Sequence, residues 1–201
     1  MNIEKTTSTS GNINDSDLVR SFKEGNTIAF ERLVIKYQDR IFNLCFRFLG
    51  DRQEAEDVAQ EVFIKVFKAL KRFRSESSFY TWIYRITVNT CKNRIKSLDY
   101  RRSKKNITLD DEKDTKHNSE SFASGTGNIP DQIIEKKERI KLIQNAIEDL
   151  NYDHRAVIIL RDIEGFSYDE ISEITGHKLG TVKSKISRAR NDLREKLKGN
   201  D

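Results

Sequence analysis

Between Ser167 and Leu197 the chain carries two helical patterns joined by the turn Gly176-His177-Lys178-Leu179-Gly180. No other stretch constrains the fold as strongly. In the second pattern Val182, Ile186, Ala189, Leu193 and Leu197 recur at the spacing of a buried helical stripe. The opposite side carries Lys183, Ser184, Ser187, Arg188 and Asn191. These are basic and hydrogen-bonding side chains of the types that reach phosphates and base edges in a major groove. The first pattern opens at Ser167-Tyr168-Asp169-Glu170, where the Ser hydroxyl and the Glu three residues on can satisfy each other's amides, and it ends at Gly176. The spacing predicts a helix-turn-helix. A solvated amphipathic hairpin has the same periodicity, so pattern alone leaves both open.

The rest of the chain reads as helical too. With one Pro and nine Gly in 201 residues, and no run of alternating β-branched residues, the composition predicts an all-α protein. The net charge of +5 is unevenly spread. Asp51, Glu54, Glu56, Asp57 and Glu61 gather in one segment, while Lys and Arg crowd 85–105 and 183–198. An acidic surface beside two basic ones implies two kinds of partner, one of them polyanionic. Cys45 and Cys91 sit inside apolar patterns in neither a C-x-x-C nor a His-paired spacing, so they are expected as core residues in a reducing compartment, with no metal site and no cofactor. No signal segment or membrane span is expected, and a cytoplasmic location follows.

Residues 1–14, rich in Ser, Thr, Asn and Gly, are expected to form a tail. A first helical domain then spans 15–98. A short helix with Leu18, Val19 and Phe22 ends at Gly25-Asn26, and a long one runs from Phe30 to Phe48 and stops at Gly50. Asp51 caps the next helix, whose buried face is expected to comprise Ala55, Val58, Ala59, Val62, Phe63, Val66, Phe67 and Leu70. Asp57, Gln60 and Glu61, with Ile64, form an outer row. It suits either solvent or a basic partner helix. After the polar segment Phe73–Ser78 comes a helix with Phe79, Trp82, Ile83, Ile86 and Thr90 inward. Tyr80, Tyr84, Arg85, Asn89, Lys92, Asn93 and Arg94 are left around its remaining surface, a set suited to stacking on unpaired bases and neutralising phosphates.

Residues 99–130 lose helical periodicity and end in a Ser- and Gly-rich run, the composition of a linker. A second domain is expected over 131–198. One helix holds Ile133, Ile140, Ile143, Ile147 and Leu150, another runs from His154 to Ile163, and the helix-turn-helix follows.

These motifs, in this order, resemble the sigma-70 family, and specifically its small extracytoplasmic-function members that keep only regions 2 and 4. Asp57-Val58-Ala59-Gln60-Glu61-Val62-Phe63 resembles region 2.2. Ser78-Phe79-Tyr80-Thr81-Trp82-Ile83-Tyr84-Arg85-Ile86 with Asn89 resembles regions 2.3 to 2.4. Arg161-Asp162-Ile163-Glu164-Gly165-Phe166-Ser167-Tyr168-Asp169-Glu170-Ile171 with Gly180-Thr181-Val182-Lys183-Ser184 resembles region 4.2. Where many relatives have Pro after Leu150, this chain has Asn151.

The resemblance implies a promoter-specificity subunit of RNA polymerase without catalytic chemistry. Asp57, Gln60 and Glu61 would contact the clamp coiled coil of core polymerase, and region 4 would dock on its flap. Tyr80, Arg85, Asn89, Lys92, Asn93 and Arg94 would handle the melted −10 strand, and the loop Arg74–Ser78 would help to hold a flipped base. Lys183, Ser184, Ser187 and Arg188 would read the −35 duplex. An anti-sigma factor is a possible further partner. Two rivals remain at this level. A stand-alone helix-turn-helix repressor explains 167–197 but gives the Asn89 helix no task. A nucleic-acid enzyme would need a metal or nucleophile cluster, and His117, His154 and His177 are dispersed.

Overall fold

The structure, a computed structural model, describes residues 14–74, 76–108 and 131–198. The expected tail before Asn14 and linker positions 109–130 lie outside them. The described elements are α1 (Asp15–Lys23), α2 (Thr27–Leu49), α3 (Arg52–Leu70), α4 (Phe79–Thr108), α5 (Asp131–Glu148), α6 (Tyr152–Ile158), a π-helical turn (Ile159–Ile163), α7 (Tyr168–Thr175) and α8 (Leu179–Lys198). The described residues are all-α.

In the N-terminal half, α2, α3 and α4 pack around Leu33, Ile41, Leu44, Val58, Val62, Val66 and Ile83, all buried. Helix α1 closes one end through Leu18, Val19 and Phe22. The Asp51 carboxylate accepts from the Glu54 amide at 2.8 Å, the cap that its position predicts. Phe67 departs from the expected buried face. It lies at the edge of the α3 stripe, meets Phe22 and Phe30 through ring contacts of 5.4 and 5.1 Å, and stays 46% exposed. Phe63 is half-buried. Cys45 and Cys91 are both buried, and burial, with the Cys45 thiol alongside, pushes the Cys91 thiol well above its ordinary range.

Helix α4 runs past the expected boundary at Leu98, to Thr108. The extra segment holds neither Gly nor Pro, so nothing local stops the helix there. In α5, Ile147 and the following Leu150 are buried whereas Ile140 and Ile143 are exposed, so between Ile140 and Leu150 the packing falls on the C-terminal end.

In the C-terminal half, Asn151 caps α6, its side chain accepting from the His154 amide at 3.0 Å. The helix start is thus satisfied by a side chain. The π turn ends with Glu164 N–H donating to Ile159 O at 2.9 Å, and then Phe166 N–H donates to Leu160 O at 3.0 Å. Closing that turn requires the left-handed backbone of Gly165, at φ +79°. Helix α7 begins with the full capping box expected at Ser167. The Glu170 amide donates to Ser167 Oγ, and Ser167 N–H donates to Glu170 Oε2 at 2.8 Å. Gly176, at φ +73°, ends it.

The two halves touch extensively. Tyr152 stacks on Phe48 at 5.6 Å, and its hydroxyl donates to Val88 O at 2.6 Å. Arg155 donates to Phe48 O at 2.5 Å, capping the end of α2 from the other half. Arg155 thereby satisfies a helix-end carbonyl that would otherwise need water, whereas the Tyr152 bond reaches a carbonyl inside α4.

Candidate nucleic-acid interface

Helix α8 separates its two faces as the periodicity requires. Val182, Ile186 and Ala189 are buried against α6 and α7, and Leu193 and Leu197 are half-buried. Lys183, Ser184, Ser187 and Arg188 are all exposed along one side. Seven basic residues against two acidic ones from 183 to 198 give that side a positive field. Neighbouring cations are used structurally. Arg190 makes a two-pronged contact with Asp162, at 2.5 and 3.1 Å, and Lys185 pairs with Asp153 at 2.7 Å. These ties fix α8 on the start of α6 and on the π turn, and leave Lys183 and Arg188 exposed. Asp153 also lies 3.7 Å from His177, and the bond from Lys185 holds its carboxyl below the usual carboxylate range.

On α3, Asp57, Gln60 and Ile64 are exposed, Ile64 at 54%, and Glu61 is half-buried and paired with Lys65 at 2.7 Å. The four residues fall at three- and four-residue intervals on one ridge. An isoleucine more than half exposed among acidic and amide groups makes this ridge part apolar, part anionic.

On α4 the expected set divides. Arg85, Asn89 and Asn93 are exposed. Arg94 turns back to Glu54 of α3 at 3.2 Å, so it braces the bundle. Lys92 lies over the Tyr152 ring at 5.3 Å and 3.8 Å from Asp153. Asn89 and Lys92 border a small cavity whose other wall is Tyr152, Asp153, Thr175 and His177 of the C-terminal half. Tyr84, expected on the outer surface, is instead fully buried. Its hydroxyl donates to Glu164 Oε2 at 2.8 Å, and burial together with Tyr80 and Glu164 pushes its pKa far above the ordinary tyrosine value. Tyr80 is half-buried beside Tyr84. A separate cleft of about 440 Å³ opens at the start of α4, bordered by Asp15, Phe73, Glu76, Ser77 and Ser78. It includes the loop where the resemblance places a flipped base.

Sequence reasoning missed the residues that meet α4 from the other half, namely Asp153, Glu164 and Phe166, and also Arg47, the ion-pair partner of Glu164. One signal was present. Phe166 is an apolar side chain in the otherwise polar turn between two short helices. Among the described residues there is no group of three or more His, Cys, Asp or Glu placed to hold a metal ion, and no helix long and apolar enough to cross a membrane.

Comparison with known proteins gives a consistent result. Residues 33–101 match the family Sigma-70 region 2, and residues 140–193 match Sigma-70, region 4. The chain is similar to the RNA polymerase sigma-H factor of Pseudomonas aeruginosa, 39% identical over 190 residues covering 91% of this chain and 93% of that protein. It is similar to the ECF RNA polymerase sigma-E factor of Escherichia coli, 35% identical over 92% of this chain and 95% of that one. The fold resembles CnrH in complex with the cytosolic domain of CnrY, with a TM-score of 0.65 and 23% identity over 93% of this chain and 99% of that one. It also resembles the sigma factor RpoE of Bartonella quintana in complex with the anti-sigma factor NepR, with a TM-score of 0.62 and 24% identity over 84% of this chain and 96% of that one.

Proposed function

The chain belongs to the sigma-70 family, in its extracytoplasmic-function group, and from that premise we propose how its surfaces divide the work of a factor that directs RNA polymerase to promoters. The α3 ridge of Asp57, Gln60, Glu61 and Ile64 docks on the clamp coiled coil of core polymerase, with the C-terminal half seated on the flap. The α8 face of Lys183, Ser184, Ser187 and Arg188 reads −35 duplex. The α4 face, with Tyr80, Arg85, Asn89, Lys92 and Asn93, handles melted −10 DNA, and its basic residues offset the repulsion between phosphates and repay the cost of unstacking. Arg94 belongs to this set only once it is released from Glu54. The factor does no chemistry of its own, and it acts in the cytoplasm where polymerase works.

What supports this reading most is the pairing of two exposed polar helix faces, on α3 and α8, with buried apolar faces directly opposite. Each helix is therefore anchored on one side and presents a distinct recognition chemistry on the other. Because the solved proteins it resembles are held in complexes with CnrY and NepR, an anti-sigma partner is part of the proposal. A stand-alone repressor would leave the α3 ridge without a task.

The test is run-off transcription with core polymerase and a genomic promoter library, beside core binding by the Asp57→Ala, Gln60→Ala double variant. Promoter-specific transcripts, and weakened core binding by the variant, are the expected results. Absence of any promoter-specific transcript together with unchanged core binding would refute the reading.

A further inference from the structure

Where the halves meet over α4, each contributes a different chemistry. The N-terminal half brings the Arg47 guanidinium, the Tyr84 hydroxyl, the Tyr80 ring and the Lys92 ammonium. The C-terminal half answers with two carboxylates and an aromatic ring. Glu164 is ion-paired with Arg47 and accepts from Tyr84 at 2.8 Å. Asp153 lies 3.8 Å from Lys92. Phe166 lies flat on Tyr80, at 5.0 Å and 19°, and edge-on to Tyr84 at 4.8 Å.

A contact made only to hold two halves together is cheaper when apolar, because burying a carboxylate carries a desolvation cost that an ion pair repays only in good geometry. The Glu164 side chain is 12% exposed. Its position is better explained by the surface it sits on. Cations, a hydroxyl donor and ring faces are what a protein presents to unpaired nucleic acid, and an anion beside a planar ring is what a nucleotide presents in return.

We propose that Arg47, Tyr80 and Tyr84 form a site for one nucleotide of unpaired DNA, with the base on Tyr80 and the phosphate between Arg47 and the Tyr84 hydroxyl, and that the Glu164-Gly165-Phe166 turn fills this site as an internal competitor. The inference rests on the reading of the N-terminal half as the strand-handling part. Gly165 matters because its left-handed backbone turns Phe166 back toward α4 beside Glu164. Strand and turn exclude one another, so the free protein binds single strands with an affinity reduced by the fraction that is closed. Withdrawal of the C-terminal half opens the site.

The experiment uses the full chain and a fluorescein-labelled, random-sequence single-stranded oligonucleotide pool, read by anisotropy. Glu164→Gln removes the anion and keeps the shape, and Phe166→Leu keeps apolar bulk and removes the ring. Each is expected to tighten strand binding by roughly threefold to tenfold. Adding Arg47→Ala to Glu164→Gln should cancel the gain, because the phosphate partner is gone. Small-angle scattering on the same samples reports whether the halves have parted. Parted halves with unchanged strand affinity would overturn the proposal, and so would a gain that survives Arg47→Ala. Unchanged affinity in variants that stay closed would also count against it, since it denies Glu164 and Phe166 the role of competitor. Promoter-specific transcription by the wild-type chain in the face of any of these results leaves the wider reading intact and removes only this site.

Discussion

Phe166 and Tyr80, from opposite halves of the chain, stack with their ring planes 19° apart and their centroids at 5.0 Å. An offset aromatic pair is worth about 0.5–1.5 kcal/mol beyond the area it buries. Phe166→Leu retains most of that area and loses the stacking. It should lower the unfolding free energy measured by urea titration by an amount in that range, with a lower midpoint, while far-UV circular dichroism stays helical. An unchanged midpoint would mean that the stacking adds nothing to the stability of the docked halves.

Ser167 holds the start of α7 through a reciprocal cap with Glu170. Ser167→Ala leaves the Glu170 amide without its side-chain partner at a helix of only eight residues, and should cost about 1 kcal/mol. Thermal unfolding measures the loss. Core polymerase binding through α3 should not change, and a parallel loss there would indicate that the variant has damaged more than a cap.

The outer face of α8 offers a salt-dependence test. If Lys183 and Arg188 each neutralise a phosphate, replacing either by Ala should reduce the slope of log affinity against log salt by about one for −35 duplex. A variant that loses affinity equally at all salt concentrations would place that residue on a base edge instead. Polymerase binding serves as the control that the domain remains folded.

Ile64 stands exposed in the acidic row of α3. Ile64→Ser removes apolar area from a proposed docking ridge without touching the buried face of the helix. Association with core polymerase should weaken by about tenfold, corresponding to roughly 1.4 kcal/mol, with no fall in melting temperature. Equal binding by the variant would restrict the docking contribution to Asp57, Gln60 and Glu61.

Three tyrosine hydroxyls, on Tyr37, Tyr84 and Tyr152, have pKa values raised above the ordinary 10, burial being the main cause at each. The folded state therefore holds these protons more tightly than the unfolded chain does. The stabilisation is complete below the unfolded value of about 10 and is lost as pH rises beyond it toward the folded values. Alkaline titration followed by tyrosinate absorbance should show late ionisation coincident with unfolding. Tyr84→Phe and Tyr152→Phe should each flatten the alkaline fall in stability, and early, independent ionisation would contradict the hydroxyl environments described above.

The parts of this molecule that were legible in its sequence are those set by near neighbours. The Asp51 and Ser167 caps, the stops at Gly50 and Gly176, and the two faces of α8 each depend on residues within a turn or two. Tyr84 was not legible in this way. Its position on α4 lies outside the stripe that faces α2 and α3, and it is buried only because a second half arrives with Glu164 and Phe166. Ile140 and Ile143 err in the opposite direction, since their periodicity promises a partner and yet both stay exposed. The added length of α4 came from a charged segment whose residues are adequate helix formers but carry no apolar rhythm. For the candidate site, residue types singled out α3, α4 and α8, while the packing of Glu164 and Phe166 against Arg47, Tyr80 and Tyr84 depends on tertiary contacts alone.

The π turn at Ile159–Ile163 accommodates one more residue in its loop than an α-helical turn would. Its C-terminal end presents Asp162 to Arg190 of α8 and Glu164 to Arg47 of α2, two directions served within three residues. A one-residue deletion here would restore regular winding and rotate everything downstream by about 100°, so that both acids could not keep their appointments. Gene lineages that carry this arrangement should therefore tolerate substitutions in the turn far more readily than changes in its length.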